Sequence, residues 1–429
     1  MADVRPFRAL RFNSRVVGDI AKVVCPPYDV ISPRGQKELY QRSPYNVVRL
    51  EEGERKTTDN PGDNRYTRAA TTLKQWLEKR ALVRDDKTAY YLVSHSFRFE
   101  GERRQRLGIM AAVRLEEYEK RIVLPHEFTQ RAAKEDRLAL MQACRTNFSH
   151  IMLLYRDKER KLAPLLRKAM AGAPEDSFSD AEGNDYALWL ISDSSSVKQI
   201  QESFVSKPLY IADGHHRYET ALAYRDLQPN AGRNKDATVN FVMAYLVDFE
   251  DPGLVVLPYH RVVGGLDIGL EDALWKRIDE VFSATPWPLE HGASAEDLVR
   301  DIHERGKREL ILGLVRAGGG ASLLRVKPGA LPPGKGPMAS FEAWVLEELV
   351  LKPVFGSTID QNVTWIHDAA EALELLTSDG RQAAFLLKPM PMDLFETIVD
   401  RGDKLPRKST FFYPKLPTGL TINLLEGSL

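Results

Sequence analysis

The stretch LYIADGHHRYETALAYR, residues 209–225, limits the fold more than any other part of the chain. Its apolar start, LYIA, predicts a short strand, and Asp213 with Gly214 predicts a turn directly after it. From Tyr218 onward, apolar side chains repeat at i, i+3 and i+4, which predicts a helix that ends before Pro229. A strand that turns directly into a helix indicates a fold in which sheets and helices pack on each other.

Strand and helix patterns are mixed along the remainder of the chain. Strands are predicted for TAYYLVSHSFRFE and YNVVRLE, and amphipathic helices for residues 66–80 and 132–146. The chain has 429 residues, more than one hydrophobic core usually organises, so we expect two or three subdomains. The predicted class is α+β with mixed sheets. Two loops, 57–65 and 327–337, are candidates for lids over a site.

The charge balance narrows the range of partners. Lys plus Arg and Asp plus Glu both number 60, and this balance argues against a partner such as nucleic acid or an anionic membrane. No apolar run approaches the roughly 20 residues of a membrane-spanning helix. The two cysteines, Cys25 and Cys144, have no metal-ligand spacing, and MADVRPFRALRF lacks the apolar core of a signal peptide. We therefore expect a cytoplasmic protein with neither nucleic acid nor a membrane as partner; the oligomeric state is left open.

Three short motifs resemble known sites, but their residues do not support them. GALPPGKG lacks the hydroxyl residue of a nucleotide-binding P-loop, and its two prolines remove backbone donors. GERRQR lies between two predicted strands, so its charges are expected to decorate a hairpin turn. His126 and Glu127 are potential metal ligands, but no second histidine follows at the spacing of a helical zinc motif. They remain candidates for acid–base chemistry or substrate contact at the end of a strand.

The opening stretch predicts a site for an anion. Asp213 is a plausible N-cap, which places His215, His216 and Arg217 in the first helical turn. Cations there oppose the helix dipole, and this arrangement is favourable if a phosphate binds to the free N–H groups and to the Arg217 fork. The structural alternative is a histidine pair satisfied by neighbouring carboxylates.

The GHHR sequence, Gly214 to Arg217, resembles the helix-opening signature of the ParB/sulfiredoxin superfamily. His215 stands where sulfiredoxin-type members carry their catalytic cysteine, which excludes sulfinic-acid reduction. The whole chain resembles the domain-of-unknown-function 1015 family. The matching blocks are CPPYDVIS, NVVRLE, LPHEFTQRAAKEDRLALM, IADGHHRYETAL, LPYHRVV and KSTFFYPKLPTGL.

The resemblance implies both an architecture and an activity. It implies a ParB/sulfiredoxin-like mixed core from residues 1–84 and 197–265, an inserted α/β subdomain from 85–196 and a C-terminal α/β subdomain from 266–429. Superfamily relatives include kinases that phosphorylate free L-serine, in some cases with pyrophosphate. The implied activity is therefore phosphoryl transfer to L-serine from pyrophosphate or a nucleotide. A non-catalytic regulator that binds a nucleotide or phosphometabolite is the alternative, and a ParB-like DNA-binding protein is disfavoured by the balanced charge.

Candidate roles follow from the resemblance and from side-chain chemistry. The candidates for acid–base catalysis are Glu127, Asp29 and His126. The phosphate donor is expected on Asp213, Gly214, His215, His216 and Arg217, with Asp213 also holding Mg²⁺. The candidates to bind the substrate carboxylate or further phosphate oxygens are Asn46, Arg49, Arg137 and Lys408. The block that contains Lys408 and Lys415 either closes over the site or is a strand and turn that buries Phe411 and Phe412.

Overall fold

The protein is described here by a computed structural model that covers residues 1–229, 233–288, 294–378 and 380–429. The chain forms two compact units, one from Met1–Val255 with Pro414–Leu429 and one from Val256–Tyr413. These bounds differ from those of the three predicted parts, because strands from 85–196 and from 197–265 share one sheet. The three-part division stays a prediction.

Helices and strands are interspersed along both units. The helices are α1 (Ser14–Val17), α2 (Pro33–Arg42), α3 (Val48–Glu51), α4 (Arg65–Glu78), α5 (Arg131–Cys144), α6 (Leu162–Ala169), α7 (Ser194–Phe204), α8 (His215–Asp226), α9 (Ile268–Val281), α10 (Ala295–Arg305), α11 (Glu342–Leu346), α12 (Lys352–Phe355), α13 (Ile359–Asn362), α14 (Ala369–Ser378) and α15 (Met392–Asp400). The strands are β1 (Val4–Arg5), β2 (Leu10–Phe12), β3 (Leu82–Arg84), β4 (Tyr90–Phe99), β5 (Glu102–Arg114), β6 (Val123–Leu124), β7 (Thr146–Asn147), β8 (Ile151–Tyr155), β9 (Asp176–Ser179), β10 (Asp185–Ile191), β11 (Leu209–Asp213), β12 (Phe241–Asp248), β13 (Val255–Leu257), β14 (His260–Val263), β15 (Phe282–Trp287), β16 (Ile311–Arg316), β17 (Ala321–Val326), β18 (Val363–Ile366), β19 (Ala383–Leu386), β20 (Phe411–Tyr413) and β21 (Asn423–Leu424).

The first unit is built on one large mixed sheet. Within the described residues it has nine strands, in the order β6-β11-β8-β12-β5-β4-β10-β9, with β1 also paired to β5. Strands β6 and β11 are parallel, as are β8 and β12, whereas β8 and β11 are antiparallel. The predicted α+β class with a mixed sheet is confirmed, and the ParB/sulfiredoxin assignment stays a prediction.

Strand directions determine which loops meet at one edge of this sheet. Because β6 and β11 are parallel neighbours, the residues that follow them, His126 and Gly214, leave the sheet at the same edge. Strand β8 runs the opposite way, so His150 precedes it at that edge. The register of β11 against β8 shifts between Ile211 and Asp213, which indicates a bulge that redirects the last residue of the strand.

Two clusters of buried apolar side chains hold the helices around this edge in place. One cluster packs sheet residues such as Leu153 and Ile211 against Tyr218 of α8. A second cluster surrounds Trp76 of α4 and includes Leu140 of α5. Full burial of one such side chain stabilises the fold by about 1.5–3 kcal/mol. Helix α5 packs on both α4 and α8, so the loop that leads from β6 into α5 is held against the start of α8.

The segment YNVVRLE is not the predicted strand, because residues Val48–Glu51 form the short helix α3. The Oδ1 atom of Asn46 accepts the N–H of Val48 at 3.0 Å and starts this turn. A short apolar run such as Val47–Val48 does not distinguish a strand from a buried helical turn.

Among its described residues, the second unit contains a six-stranded sheet in the order β15-β17-β16-β19-β14-β18. GALPPGKG forms turns, and its last residue begins a single 3-10 turn, Gly336–Ser340, in place of the α-helix that directly follows a P-loop. Phe411 and Phe412 lie in β20 and are buried, as the structural alternative for that block predicted. Lid roles for loops 57–65 and 327–337 stay predictions. Among the described residues, the longest apolar helical stretches fall short of what a bilayer crossing needs.

Candidate functional site

Gly214 joins β11 to α8 and has a φ of +98°, a conformation that favours glycine. A Cβ atom at this position would lie 2.8 Å from Cγ2 of Ile151 and 3.1 Å from two guanidinium nitrogens of Arg217. Gly214 is the N-cap residue of α8, and no side chain of the described residues caps that helix. This corrects the predicted N-cap role of Asp213, because Asp213 is still the last residue of β11.

The carboxylate of Asp213 lies between two cationic side chains. Its Oδ1 accepts a hydrogen bond of 2.7 Å from Nζ of Lys415, and its Oδ2 accepts one from Arg217. Lys415 also donates to Asp29, so one ammonium joins two carboxylates. We name Asp29, Asp213, Arg217 and Lys415 the charge group. Two carboxylates and two cations give it a formal net charge of zero.

The Asp213 carboxylate and the Lys415 ammonium are both charged at neutral pH. Burial by itself raises the pKa of Asp213, but the charges of Lys415 and Arg217 outweigh it and hold the pKa well below its usual range. Burial lowers the pKa of Lys415, but Asp213 and Asp29 more than offset this and raise it above its usual value. Arg217 also donates to the carbonyl oxygen of His150, which ties the charge group to the start of β8.

Both histidines of the GHHR motif accept hydrogen bonds from loop 125–130, which joins β6 to α5. Nε2 of His215 accepts the backbone N–H of His126 at 3.1 Å, and Nε2 of His216 accepts that of Gln130 at 2.9 Å. A ring nitrogen accepts only without its proton, so both rings are neutral and carry the proton on Nδ1. Burial also lowers the pKa of His216. The expectation of two cationic histidines is thereby corrected.

Glu219, one turn further along α8, strengthens the same attachment. Its Oε2 accepts hydrogen bonds from Oγ1 of Thr129 at 2.5 Å and from Nζ of Lys134 at 2.8 Å. We name His215, His216 and Glu219 the loop clamp, because all three bind loop 125–130 or the first turns of α5. The loop clamp sets where His126 and Glu127 lie relative to the N-terminus of α8.

His126, Glu127 and His215 bring three candidate metal-ligand atoms within 4.8 Å of one another. The two imidazole rings meet edge to face with centroids 4.4 Å apart. A carboxylate oxygen of Glu127 lies 3.9 Å from Nε2 of His126, and the other lies 3.9 Å from Nδ1 of His215. The second histidine that the sequence motif lacks is thus His215, the first residue of α8.

The proton positions favour acid–base chemistry over a metal centre in this trio. Nδ1 of His126 lies 2.7 Å from the carbonyl oxygen of Ile211 and carries the proton of that hydrogen bond. Burial lowers the pKa of His126 to about 4, so the ring is neutral at pH 7. Since Nε2 of His215 is an acceptor, its Nδ1 presents an N–H toward Glu127. A metal ion needs an unprotonated nitrogen, so His215 is not arranged as a ligand.

Asn46 has a structural position. The side chain is fully buried, and its amide donates to the carbonyl oxygens of Lys22 at 2.8 Å and Val24 at 3.0 Å. Together with the bond from Val48, these contacts fix the turn before α3. They leave the predicted substrate contact of Asn46 without support from its surroundings.

The other predicted substrate ligands also have protein partners. Arg137 donates to the carbonyl oxygen of Glu51 at 2.8 Å and to Glu52 at 2.8 Å, and it stacks 4.2 Å over the ring of Tyr28. Arg49 donates to the carbonyl oxygen of Tyr40 at 2.7 Å. Lys408 belongs to the second unit and lies 5.1 Å over Tyr259. Substrate binding by these residues stays a prediction, and the ring on which Arg137 stacks belongs to Tyr28, the sequence neighbour of Asp29.

Arg106 is a residue that the sequence reasoning misplaced. Instead of decorating a hairpin turn, its side chain is 1% exposed and donates at 2.5 Å to the carbonyl oxygen of Pro414, next to Lys415. Strand β5 extends past the turn, so its alternating side chains point inward from Arg106 onward. Continuing the period of two from Gly108 back to Arg106 would have identified the inward position.

A family model described as protein of unknown function (DUF1015) matches residues 4–349. No curated protein matches the chain. Among solved structures, a mutant free serine kinase in complex with AMP is 14% identical, with a TM-score of 0.37 over 70% of this chain and 89% of that one.

Two further structures are similar at the same level. A conserved hypothetical protein from Pyrococcus furiosus is 12% identical, with a TM-score of 0.37 over 71% of this chain and 92% of that one. SbnI with C-terminal truncation from Staphylococcus aureus is 10% identical, with a TM-score of 0.38 over 73% and 87% of the two chains. Similarity at this level leaves the chemistry to be argued from the residues of this chain.

Proposed function

The chain belongs to the DUF1015 family, and from there we propose that it is a phosphotransferase whose acceptor is a small molecule with an alcohol group. The acceptor proposed from the family resemblance is free L-serine, and the donor is pyrophosphate or a nucleotide. One observation carries the proposal: the charge group and the trio around Glu127 meet at one edge of the mixed sheet, because β6 and β11 are parallel neighbours. Phosphoryl transfer requires a donor site of fixed charge beside a carboxylate that accepts a proton.

The charge group offers what a phosphate donor needs. Lys415 and Arg217 are cations, and their positive charges attract phosphate oxygens. The first turn of α8 adds backbone N–H groups and the positive end of the helix dipole. Asp29 and Asp213 supply the carboxylate oxygens that Mg²⁺ prefers, and Mg²⁺ bound there would neutralise charge on the donor oxygens.

Glu127 is the proposed general base. Its side chain is 23% exposed, so solvent and a small acceptor reach it, and the Nδ1–H of His215 faces its carboxylate. The acceptor hydroxyl gives its proton to Glu127 while its oxygen forms a bond to the phosphorus atom, and the bond from phosphorus to the donor's leaving oxygen breaks. The Asp29 carboxylate is engaged by Lys415, so it is assigned to the donor side.

Phosphorus NMR tests the proposal directly. Purified protein is incubated with Mg²⁺ and L-serine, and pyrophosphate, ATP or ADP is supplied in separate tubes. The expected result is a phosphomonoester signal that coincides with added O-phospho-L-serine in at least one tube and is absent without protein. That tube identifies the donor.

The opposite outcome also has a defined meaning. If no tube shows turnover while calorimetry detects donor binding, the phosphotransferase proposal fails and the regulator alternative takes its place. If neither turnover nor binding is detected, the charge group is not a donor site.

A further inference from the structure

The ammonium of Lys415 lies between two carboxylates, where a divalent cation would also bind. It donates to Asp213 at 2.7 Å and to Asp29 as well. We propose that Lys415 occupies the place of a divalent cation between Asp29 and Asp213, and that it excludes free metal until a phosphate donor binds. The inference rests on the proposed function only in taking this site to receive a metal together with a phosphate donor.

The charge balance of the site gives the first reason. The charge group is neutral as it stands, so a divalent cation added alone brings two uncompensated positive charges beside Lys415 and Arg217. Like charges at these distances repel strongly where water is scarce, and the side chains of Lys415 and Arg217 are only 11% and 9% exposed. A polyphosphate anion supplies the missing negative charge, so metal and donor stabilise each other's binding.

The way each side chain is held gives the second reason. Asp213 is fixed from two directions, because Arg217 binds its Oδ2 and is itself bound to the carbonyl oxygen of His150. The backbone at Lys415 is fixed as well, since Arg106 donates to the carbonyl oxygen of Pro414. The flexible element is the four-carbon stem of Lys415, whose ammonium can move from the carboxylates to phosphate oxygens.

Two residues of the group are already open to an incoming ion. The side chains of Asp29 and Asp213 are 29% and 23% exposed, more than either cation. A metal that arrives with a donor therefore reaches the carboxylates directly, while Lys415 moves to the anion that the same complex carries.

The test measures metal binding without turnover. Mn²⁺ serves as the probe because it accepts the same oxygen ligands as Mg²⁺ and is detected by electron paramagnetic resonance. Each protein is titrated with Mn²⁺ alone and with the non-hydrolysable donor analogue imidodiphosphate, and a protein-free titration corrects for the Mn²⁺–imidodiphosphate complex. We expect imidodiphosphate to raise the Mn²⁺ affinity of the wild-type protein at least tenfold.

Two lysine variants complete the design. Lys415→Met keeps the aliphatic stem without the charge, and it should bind Mn²⁺ alone at least tenfold more tightly than wild type and lose most of the coupling to imidodiphosphate. Lys198→Met, which removes an exposed ammonium that pairs with Glu202 on α7, should leave both affinities unchanged. Unchanged Mn²⁺ affinity in a folded Lys415→Met protein overturns the proposal.

If Lys415→Met does not fold, titrations of the wild-type protein alone still test the proposal. Because coupling is reciprocal, saturating Mn²⁺ must raise imidodiphosphate affinity by the factor by which imidodiphosphate raises Mn²⁺ affinity. Equal Mn²⁺ affinity with and without imidodiphosphate contradicts the exclusion of free metal. Coupled binding in a protein that makes no phosphoserine would leave this inference standing and reject only the proposed function.

Discussion

At the site, Gly214 is the residue whose backbone conformation and close contacts leave least room for a side chain. An alanine at this position would have an unfavourable positive φ, and its Cβ would lie 2.8 Å from Cγ2 of Ile151. Gly101, at the β4–β5 hairpin, also has a positive φ of +80° but has nothing within 4 Å of the added Cβ. Gly214→Ala should therefore cost about 3 kcal/mol or more of unfolding free energy in the first unit, and Gly101→Ala about 1 kcal/mol.

Amide exchange of β8 and β12 in increasing urea measures both costs, because these strands lie inside the sheet of the first unit. Equal losses of unfolding free energy in the two variants would show that contact with Ile151 and Arg217 adds nothing to the backbone strain.

Single substitutions also test the roles assigned to Glu127, the general base, and to Asp29, on the donor side. Glu127→Gln should lower kcat by about 10²–10⁴-fold, because it removes the proton acceptor, and should change donor affinity only a few-fold. Asp29→Asn should instead weaken Mg²⁺-dependent donor binding, because one of the two carboxylates on the donor side is lost. The exposed Glu135→Gln variant on α5 is the control and should retain full activity. If Asp29→Asn lowered kcat and left donor affinity unchanged, Asp29 would be the general base in place of Glu127.

At the scale of elements, loop 125–130 depends on helix α8 for its position. His216→Ala removes the acceptor of the Gln130 N–H and should accelerate exchange of that amide about five- to tenfold, the equivalent of one neutral hydrogen bond. The amide of His126 is an internal control, since it is bound by His215 and should keep its protection. Residue-resolved hydrogen exchange measures both amides. Equal acceleration at both positions would indicate that the loop detaches as one body.

For the molecule as a whole, buried neutral histidines make stability depend on pH. Burial lowers the pKa of His126 to about 4 and that of His150 to about 3, and both lie in the first unit. In the unfolded chain these rings take up protons near pH 6.5, so between that pH and about 4 the unfolded state binds more protons. The unfolding free energy should therefore fall as the pH drops through this window, by up to about 1.4 kcal/mol per pH unit for each ring.

Urea unfolding of the first unit at pH 7, 6 and 5 measures this slope. The variant His150→Gln should show a shallower slope than wild type, because it removes one of the buried histidines whose pKa is lowered in the folded first unit. An unchanged slope would mean that the His150 ring is protonated in the folded protein as well.

Much of the local structure follows from the sequence because neighbouring residues decide it. The i, i+3, i+4 spacing predicted the helices observed at Arg65–Glu78, Arg131–Cys144 and His215–Asp226. The Asp213–Gly214 turn was also predicted, because only glycine readily adopts its φ. The strand predicted for YNVVRLE was wrong, since the turn there depends on contacts of Asn46 with residues more than 20 positions away.

The sequence by itself determined the α+β class, the strand–turn–helix at residues 209–225 and the chemical types gathered there. Only the tertiary structure decided which partners those side chains have. It set the histidines as neutral acceptors for loop 125–130, brought His126 and Glu127 beside His215 through the parallel pairing of β6 and β11, and placed Lys415 between Asp29 and Asp213. Periodicity reports only contacts within a few residues, whereas Lys415 is separated from Asp29 by 386 positions and meets it only when the chain returns to the first unit.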